Sequence, residues 1–236
     1  MKMNNIVEIL ENFNFQRTNK PWSEPLVVHG VPGSGKTSLV NKLIELDTSL
    51  TAFSGGSAVH NFSGTAIHRR GNSLAGDVDI LDEYPIFLDS ALSPKKLILC
   101  DPFQHKNRVE VAHFISFKTH RFGNETCAIL SIFGLHIETE LVDRVILGCC
   151  YKEEPEGKIV AFEKDICDLL RRHNIAYSEP EEILGSNCDK VTFYTSTEDL
   201  KREHPEFWKF YVCLTRHRTQ LKILSPYATF TPCRSF

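Results

Sequence analysis

The segment Gly30-Val31-Pro32-Gly33-Ser34-Gly35-Lys36-Thr37 sets glycines, a lysine and a hydroxyl in the spacing GxxxxGK[ST]. These residue types suit phosphate binding. Glycines let the backbone wrap closely around a phosphate, and consecutive N–H groups with a following helix N-terminus supply positive potential. Lys36 is expected to reach the β- and γ-phosphates of a nucleotide and the Thr37 hydroxyl to coordinate Mg²⁺, while Ser38 continues the helix. The alternative is a glycine turn that binds nothing. The flanks argue against it, because the apolar run Leu26-Val27-Val28-His29 leads in and a helical pattern from Thr37 to Leu46 leads out.

Acidic residues follow downstream. Val78-Asp79-Ile80-Leu81-Asp82-Glu83-Tyr84 reads as a short strand closing on two adjacent carboxylates. Beside a phosphate loop, Asp82 is the expected magnesium-side carboxylate. Glu83 is the expected base or water-positioning group for attack on the γ-phosphate. A further strand, Lys96 to Cys100, leads into Asp101-Pro102-Phe103-Gln104. Gln104 either contacts the γ-phosphate or orients water there, or belongs to a proline turn facing solvent. The cofactors this set implies are ATP and Mg²⁺.

Elements must hold these groups in place. Short apolar runs recur at Leu26 to His29, Val78 to Leu81, Leu97 to Cys100, Val145 to Leu147, Val191 to Tyr194 and Leu221 to Leu224. They alternate with helical patterns at Thr37 to Leu46, Phe162 to His173 and Pro205 to Thr215. Such alternation predicts an α/β P-loop fold, a parallel sheet with helices on both faces. Residues 1–20 read as an N-terminal helical segment with Ile6, Val7, Leu10 and Phe13 on one face. The main chain then divides into 21–118 and 119–236, with the change between Lys118 and Gly123.

Composition narrows the class. The 236 residues carry a formal charge of −3, so no global field draws nucleic acid and any such site must be a local groove. No stretch approaches the roughly 20 apolar residues of a membrane span, and the acid-containing N-terminus does not read as a secretory signal. The eight cysteines lack a CxxC pair and read as free, mostly buried thiols; no spacing predicts zinc. The absence of NKxD counts against a GTPase. Beginning at Met1, the chain reads as a complete protein.

In order along the chain, HGVPGSGKTS, ILDEYP, ILCDPFQ, THRFG and VCLTRHRTQLKIL resemble motifs I, II, III, IV and VI of the superfamily 1 RNA helicases of positive-strand RNA viruses. The closest resemblance is to the triple gene block protein 1 movement proteins of potexvirus-like and carlavirus-like plant viruses. It spans Val27 to Leu224. It implies two RecA-like lobes forming a minimal helicase core with ATP in the cleft between them. Arg121 of THRFG and Arg216 of LTRHR would reach the γ-phosphate from the second lobe as arginine fingers, with Arg218 the weaker choice. Such guanidinium groups stabilise charge on a transferring phosphoryl group.

The resemblance further implies single-stranded viral RNA as partner, self-association, contacts with coat protein and companion movement proteins, and suppression of RNA silencing. It places the protein in the host cytoplasm, at plasmodesmata or in inclusions. Arg69, Arg70, Lys106, Arg108, Arg171 and Arg172 are the basic residues available to a strand of RNA. The competing reading is an RNA-binding silencing suppressor or assembly protein whose ATPase fold is mainly structural.

Overall fold

The computed structural model describes residues 3–55, 59–60, 66–69, 75–87, 91–107, 109–226 and 231–232. The chain divides into two units, Met1–Lys118 and Thr119–Phe236. The first contains α1 (Met3–Asn12), β1 (Gln16–Arg17), β2 (Leu26–Gly30), α2 (Lys36–Leu46), β3 (Ala52–Ser54), β4 (Val59–His60), β5 (Ala66–Arg69), β6 (Ala75–Asp82), a 3-10 turn (Tyr84–Phe87), β7 (Ala91–Cys100) and β8 (Phe114–Ser116). Its sheet runs β1-β8-β2-β7-β6-β3-β5-β4. All pairings from β8 to β5 are parallel, and only the edge strands β1 and β4 are antiparallel.

Strand periodicity explains why these runs are continuously apolar. Side chains alternate between faces, so Leu26, Val28, Ile80, Leu97 and Leu99 pack on one side with Ile6 and Leu10 of α1 and Leu39, Val40 and Leu43 of α2. Val27, Leu81, Ile98 and Cys100 point the other way and meet Tyr84 and Phe87 of the 3-10 turn and Ala112. Helices on both faces were expected; among the described residues this second cluster draws on the 3-10 turn and on no α-helix. Among the described residues the β6–β7 connection carries the 3-10 turn Tyr84–Phe87.

The N-terminal helical segment is also shorter than 1–20. The helix ends at Asn12, Asn14 takes φ 60°, and Phe15 N–H donates back to Leu10 O at 3.0 Å. This left-handed stop lets Gln16–Arg17 leave as the edge strand β1. Ile6 and Leu10 are buried, with Val7 and Phe13 packed against the same cluster.

The second unit contains α3 (Asn124–Ile132), β9 (Arg144–Cys149), β10 (Lys158–Val160), α4 (Lys164–Arg172), β11 (Cys188–Tyr194), β12 (Asp199–Leu200), α5 (Phe207–Leu214), β13 (His217–Ser225) and β14 (Thr231–Pro232). Its main sheet, β10-β11-β13-β9, is wholly parallel. Ile166, Cys167 and Leu170 of α4 pack with Ala161, Tyr194 and Leu224, and Phe162, Phe193 and Phe210 form a ring cluster. Among the described cysteines all are free, and Cys100, Cys127, Cys167 and Cys213 are buried; Cys233 lies outside the described residues.

Candidate nucleotide site

The phosphate loop sits where β2 hands over to α2. Gly33 (φ 79°) and Gly35 (φ 90°) occupy left-handed backbone that a side chain would strain. A Cβ on Gly30 would crowd Ser34 Oγ and lie 3.1 Å from Ser34 Cβ and from Phe15 Cε1, so any larger residue there would make these side chains shift. Gly35 is the N-cap of α2 and makes no side-chain cap bond. The first-turn N–H groups of a helix have no intrahelical partners, which leaves these donors facing the loop. Lys36 is buried, and its Nζ donates to Gly30 O at 2.6 Å and Val31 O at 3.2 Å. Val31, Pro32 and Ser34 are buried, whereas Thr37 and Ser38 are exposed on the first turn of α2.

Strand order brings the acids to this loop. β7 lies between β2 and β6, with His29 paired to Cys100 and Leu99 paired to Asp82. The carboxyl ends of three neighbouring strands therefore carry Gly30, Asp101 and Asp82-Glu83. With strands spaced about 4.8 Å apart, the loop and the β6 acids are roughly 10 Å apart along the sheet. Asp82 is buried and its carboxyl is pushed up to about 7, first by burial and then by the neighbouring Glu83, against the opposing pull of Lys36. Burial likewise raises Asp101, and Lys36 again opposes it. His29 is lowered to about 4 by burial and by the charges of Lys36 and Lys20, so it is neutral beside the loop.

Glu83 is buried and takes φ 53°, a left-handed conformation that costs a residue with a Cβ about 1–3 kcal/mol. Its N–H donates to Asp82 Oδ1 at 3.0 Å. Gly55 passes against it: a Cβ there would lie 2.7 Å from Ile86 and 3.3 Å from Glu83 Cβ, and Gly55 N–H donates to Asp82 O. Gln104 is buried rather than facing solvent. Its Nε2 donates to Asp101 Oδ2 at 2.8 Å, while Phe103 N–H donates to Asp101 Oδ1. Two residues of this neighbourhood escaped sequence reasoning. Asp101 had a readable signal, an acid ending a buried strand, but His105, whose Nε2 lies 2.6 Å from Glu83 Oε2, had none.

In the second unit, both singled-out arginines gather at the carboxyl end of α5. Arg121 Nη1 donates to Thr215 O at 3.4 Å, and buried Arg216 donates from Nε to Val212 O at 3.4 Å and from Nη1 to Ser186 O at 3.5 Å. A helix C-terminus favours such cations. Arg218 is exposed and donates to Asn187 Oδ1. The flanking residues of the two segments are joined through Asp143: His217 Nε2 lies 3.0 Å from Asp143 Oδ2 and 3.0 Å from Thr126 Oγ1. Burial would raise the Asp143 carboxyl, but hydrogen bonds from His217, Thr126 and Gly123 hold it at about 2.

A Cβ on Gly123 would lie 2.2 Å from Asp143 N and 2.5 Å from Val142 C. Backbone cannot give way as a flexible side chain can, so Gly123→Ala is expected to lower stability by about 1–3 kcal/mol. Urea unfolding measures it, and an unchanged midpoint would contradict the packing. Of the other basic residues, Arg171 pairs with Asp168 at 2.8 Å, Arg172 donates to Asp168 O, and Lys106 is exposed. Arg69 lies on β5, and Arg70 and Arg108 fall outside the described residues.

The residues fit a nucleotide's phosphates with a divalent cation. The α2 N-terminus lacks a side-chain cap, Ser34 Oγ is buried without a hydrogen-bond partner, and Asp82 is a buried carboxyl that positive charge would stabilise as its anion. Among the described residues no group of three His, Cys, Asp or Glu side chains forms a metal cage. Mg²⁺ commonly uses one or two protein ligands together with phosphate oxygens, so a cage of three side chains is not required.

Parallel sheets in both units and a glycine loop at a strand–helix junction define a P-loop α/β protein of two RecA-like lobes. Residues 26–225 match the family model of the viral superfamily 1 RNA helicase core domain. The movement and silencing protein TGBp1 of Poplar mosaic virus (isolate ATCC Pv275) is 34% identical over 238 residues, covering 98% of this chain and 100% of the relative. That of Apple stem pitting virus (isolate PA66) is 35% identical over 228 residues, covering 94% and 100%. The chain belongs to the viral superfamily 1 RNA helicase family, in the group of movement and silencing proteins TGBp1. In fold it is similar to an arterivirus nonstructural protein 10 helicase solved with DNA, with a TM-score of 0.54 and 18% identity over 86% of this chain. It spans 61% of that helicase's length. No helix among the described residues is long and apolar enough to cross a membrane.

Proposed function

We propose that this protein is an RNA-binding, Mg²⁺-dependent ATPase of the RNA-helicase type that acts in cell-to-cell transport of viral RNA in plants and in suppression of RNA silencing. The observation that carries the ATPase part is the convergence of Lys36, Asp82, Glu83 and Asp101 at the carboxyl ends of β2, β6 and β7. The transport and silencing parts rest on the names of the relatives. Residues 21–118 are assigned as the ATP-binding RecA-like domain and 119–236 as the second.

In this assignment the backbone from Gly30 to Thr37 holds the phosphates and Lys36 neutralises the β- and γ-oxygens. Thr37 and Asp82 would hold Mg²⁺, which when bound would supply Lewis-acid stabilisation of phosphate charge. Glu83 accepts a proton from the attacking water, and Gln104 acts at the γ-phosphate or its water. Arg121 and Arg216 stabilise the charge of the transferring phosphoryl group. Single-stranded RNA is the assigned partner. Self-association and contacts with coat protein and companion movement proteins belong to the same reading, as does a location in host cytoplasm and at plasmodesmata.

Purified protein is expected to hydrolyse ATP in Mg²⁺ buffer, with turnover rising several-fold when single-stranded RNA is added. Phosphate release measures it. Turnover unaffected by RNA would favour a silencing suppressor that uses the fold as scaffold, and no turnover under either condition overturns the ATPase reading.

A further inference from the structure

We propose that His105 is a positioning residue for the Glu83 carboxylate, an inference that rests on Glu83 as the hydrolytic base. His105 Nε2 and Glu83 Oε2 are 2.6 Å apart, with side-chain exposures of 6% and 11%. A carboxylate only accepts, so the imidazole N–H donates. Away from bulk water such a charge-assisted bond is strong and directional. It occupies Oε2 and sets the plane of the carboxylate.

The rest of the geometry makes this contact a clamp rather than a chance pairing. Glu83 leaves β6 in left-handed backbone, a conformation that persists only where surroundings dictate it. Gly55 passes so close that a Cβ there would lie 3.3 Å from Glu83 Cβ. His105 leaves a turn wired by Asp101: Gln104 N–H donates to Asp101 O, and Phe103 N–H and Gln104 Nε2 hold the two carboxylate oxygens. Asp101 is fully buried at the end of β7, the strand beside β6. The β7 turn thus carries an imidazole to the base from the neighbouring strand, and Asp101 and Gln104 brace it.

A base must sit within hydrogen-bond reach of the water it deprotonates, so loss of the His105 bond should misplace the carboxylate, slow the chemical step and spare nucleotide binding. The experiment compares full-length wild type, His105→Ala, His105→Gln and Glu83→Gln for ATP turnover and for binding of a non-hydrolysable ATP analogue. Glutamine is the conservative variant because its Nε2 is a neutral donor at similar reach. Misplacement of a catalytic group costs on the order of 100-fold, so His105→Ala is expected to lower kcat by about 10–100-fold, with KM and analogue affinity within about 3-fold. His105→Gln should recover most of that loss.

Wild-type kcat in His105→Ala, with Glu83→Gln inactive, overturns the positioning role and leaves the base assignment standing. A loss in His105→Ala that His105→Gln does not recover also overturns it, since the donor would not be what matters. Wild-type turnover by Glu83→Gln overturns the base assignment itself. Thermal melting of each variant shows whether it is folded, and should His105→Ala fail to fold, the kcat of His105→Gln decides: within about 5-fold of wild type supports the donor role, and a larger loss overturns it.

Discussion

Replacing Arg216 with alanine is expected to lower kcat for ATP by about 10³-fold while changing ATP affinity by no more than a few-fold, the signature of an arginine that acts on developing phosphoryl charge. The structure gives this prediction a physical complication. Arg216 is only 2% exposed and sits at the carboxyl end of α5, on the carbonyls of Val212 and Ser186. Those two bonds, at 3.4 and 3.5 Å, lie at the long limit of useful geometry. A guanidinium meets an anionic phosphate with shorter, bidentate bonds than these long ones to neutral carbonyls. Arg216→Lys separates the two roles. It keeps the positive charge at the helix end but lacks the planar fork, so it should fold and still turn over slowly. Wild-type kcat in both variants would remove Arg216 from the site, and a coupled phosphate-release assay with a melting curve is sufficient to tell.

Lys36→Ala should act differently, weakening ATP binding by about 10–100-fold as expected for loss of a charged hydrogen bond worth about 1.5–3 kcal/mol. Turnover should fall further than binding. Lys36 is the largest influence opposing the burial-driven rise of Asp82 and Asp101, so its removal favours their protonated forms and should weaken the assigned magnesium side as well. Lys36 also satisfies the carbonyls of Gly30 and Val31, and the apo-protein should lose a little stability. Titration with a fluorescent ATP analogue, in parallel with phosphate release, separates the two effects. Undiminished nucleotide affinity would mean that the loop from Gly30 to Thr37 does not hold the phosphates.

The paired variants read different parts of the chemistry. Lys36 is assigned both to phosphate charge already present in bound ATP and to the further charge that builds in the transition state, whereas Arg216 is assigned only to charge that grows as the bond breaks. Binding and kcat should therefore fall together in the first and part company in the second.

What could be read from the sequence was local. The phosphate loop is contiguous, and its glycines answer to backbone angles at Gly33 and Gly35 and to close approach at Gly30. The buried strands showed as unbroken apolar runs because alternate residues, such as Val27 and Val28, are buried on opposite faces. The resemblance carried by the five motif-like segments in their order implied two α/β lobes. The N-terminal helix was legible in its apolar period, but its end was not, because one left-handed asparagine decides it.

Tertiary structure decided the contacts between residues that no short-range pattern connects. Glu83 meets His105 across 22 positions only because β6 and β7 are neighbours. His217 meets Asp143 across 74, and Gly123 must be glycine because the Val142-Asp143 backbone runs over it. Helical and strand periods record which face of an element is buried, and a motif records chemistry within one turn of chain. Neither records which strand lies alongside, and that adjacency places the His105 imidazole on the Glu83 carboxylate.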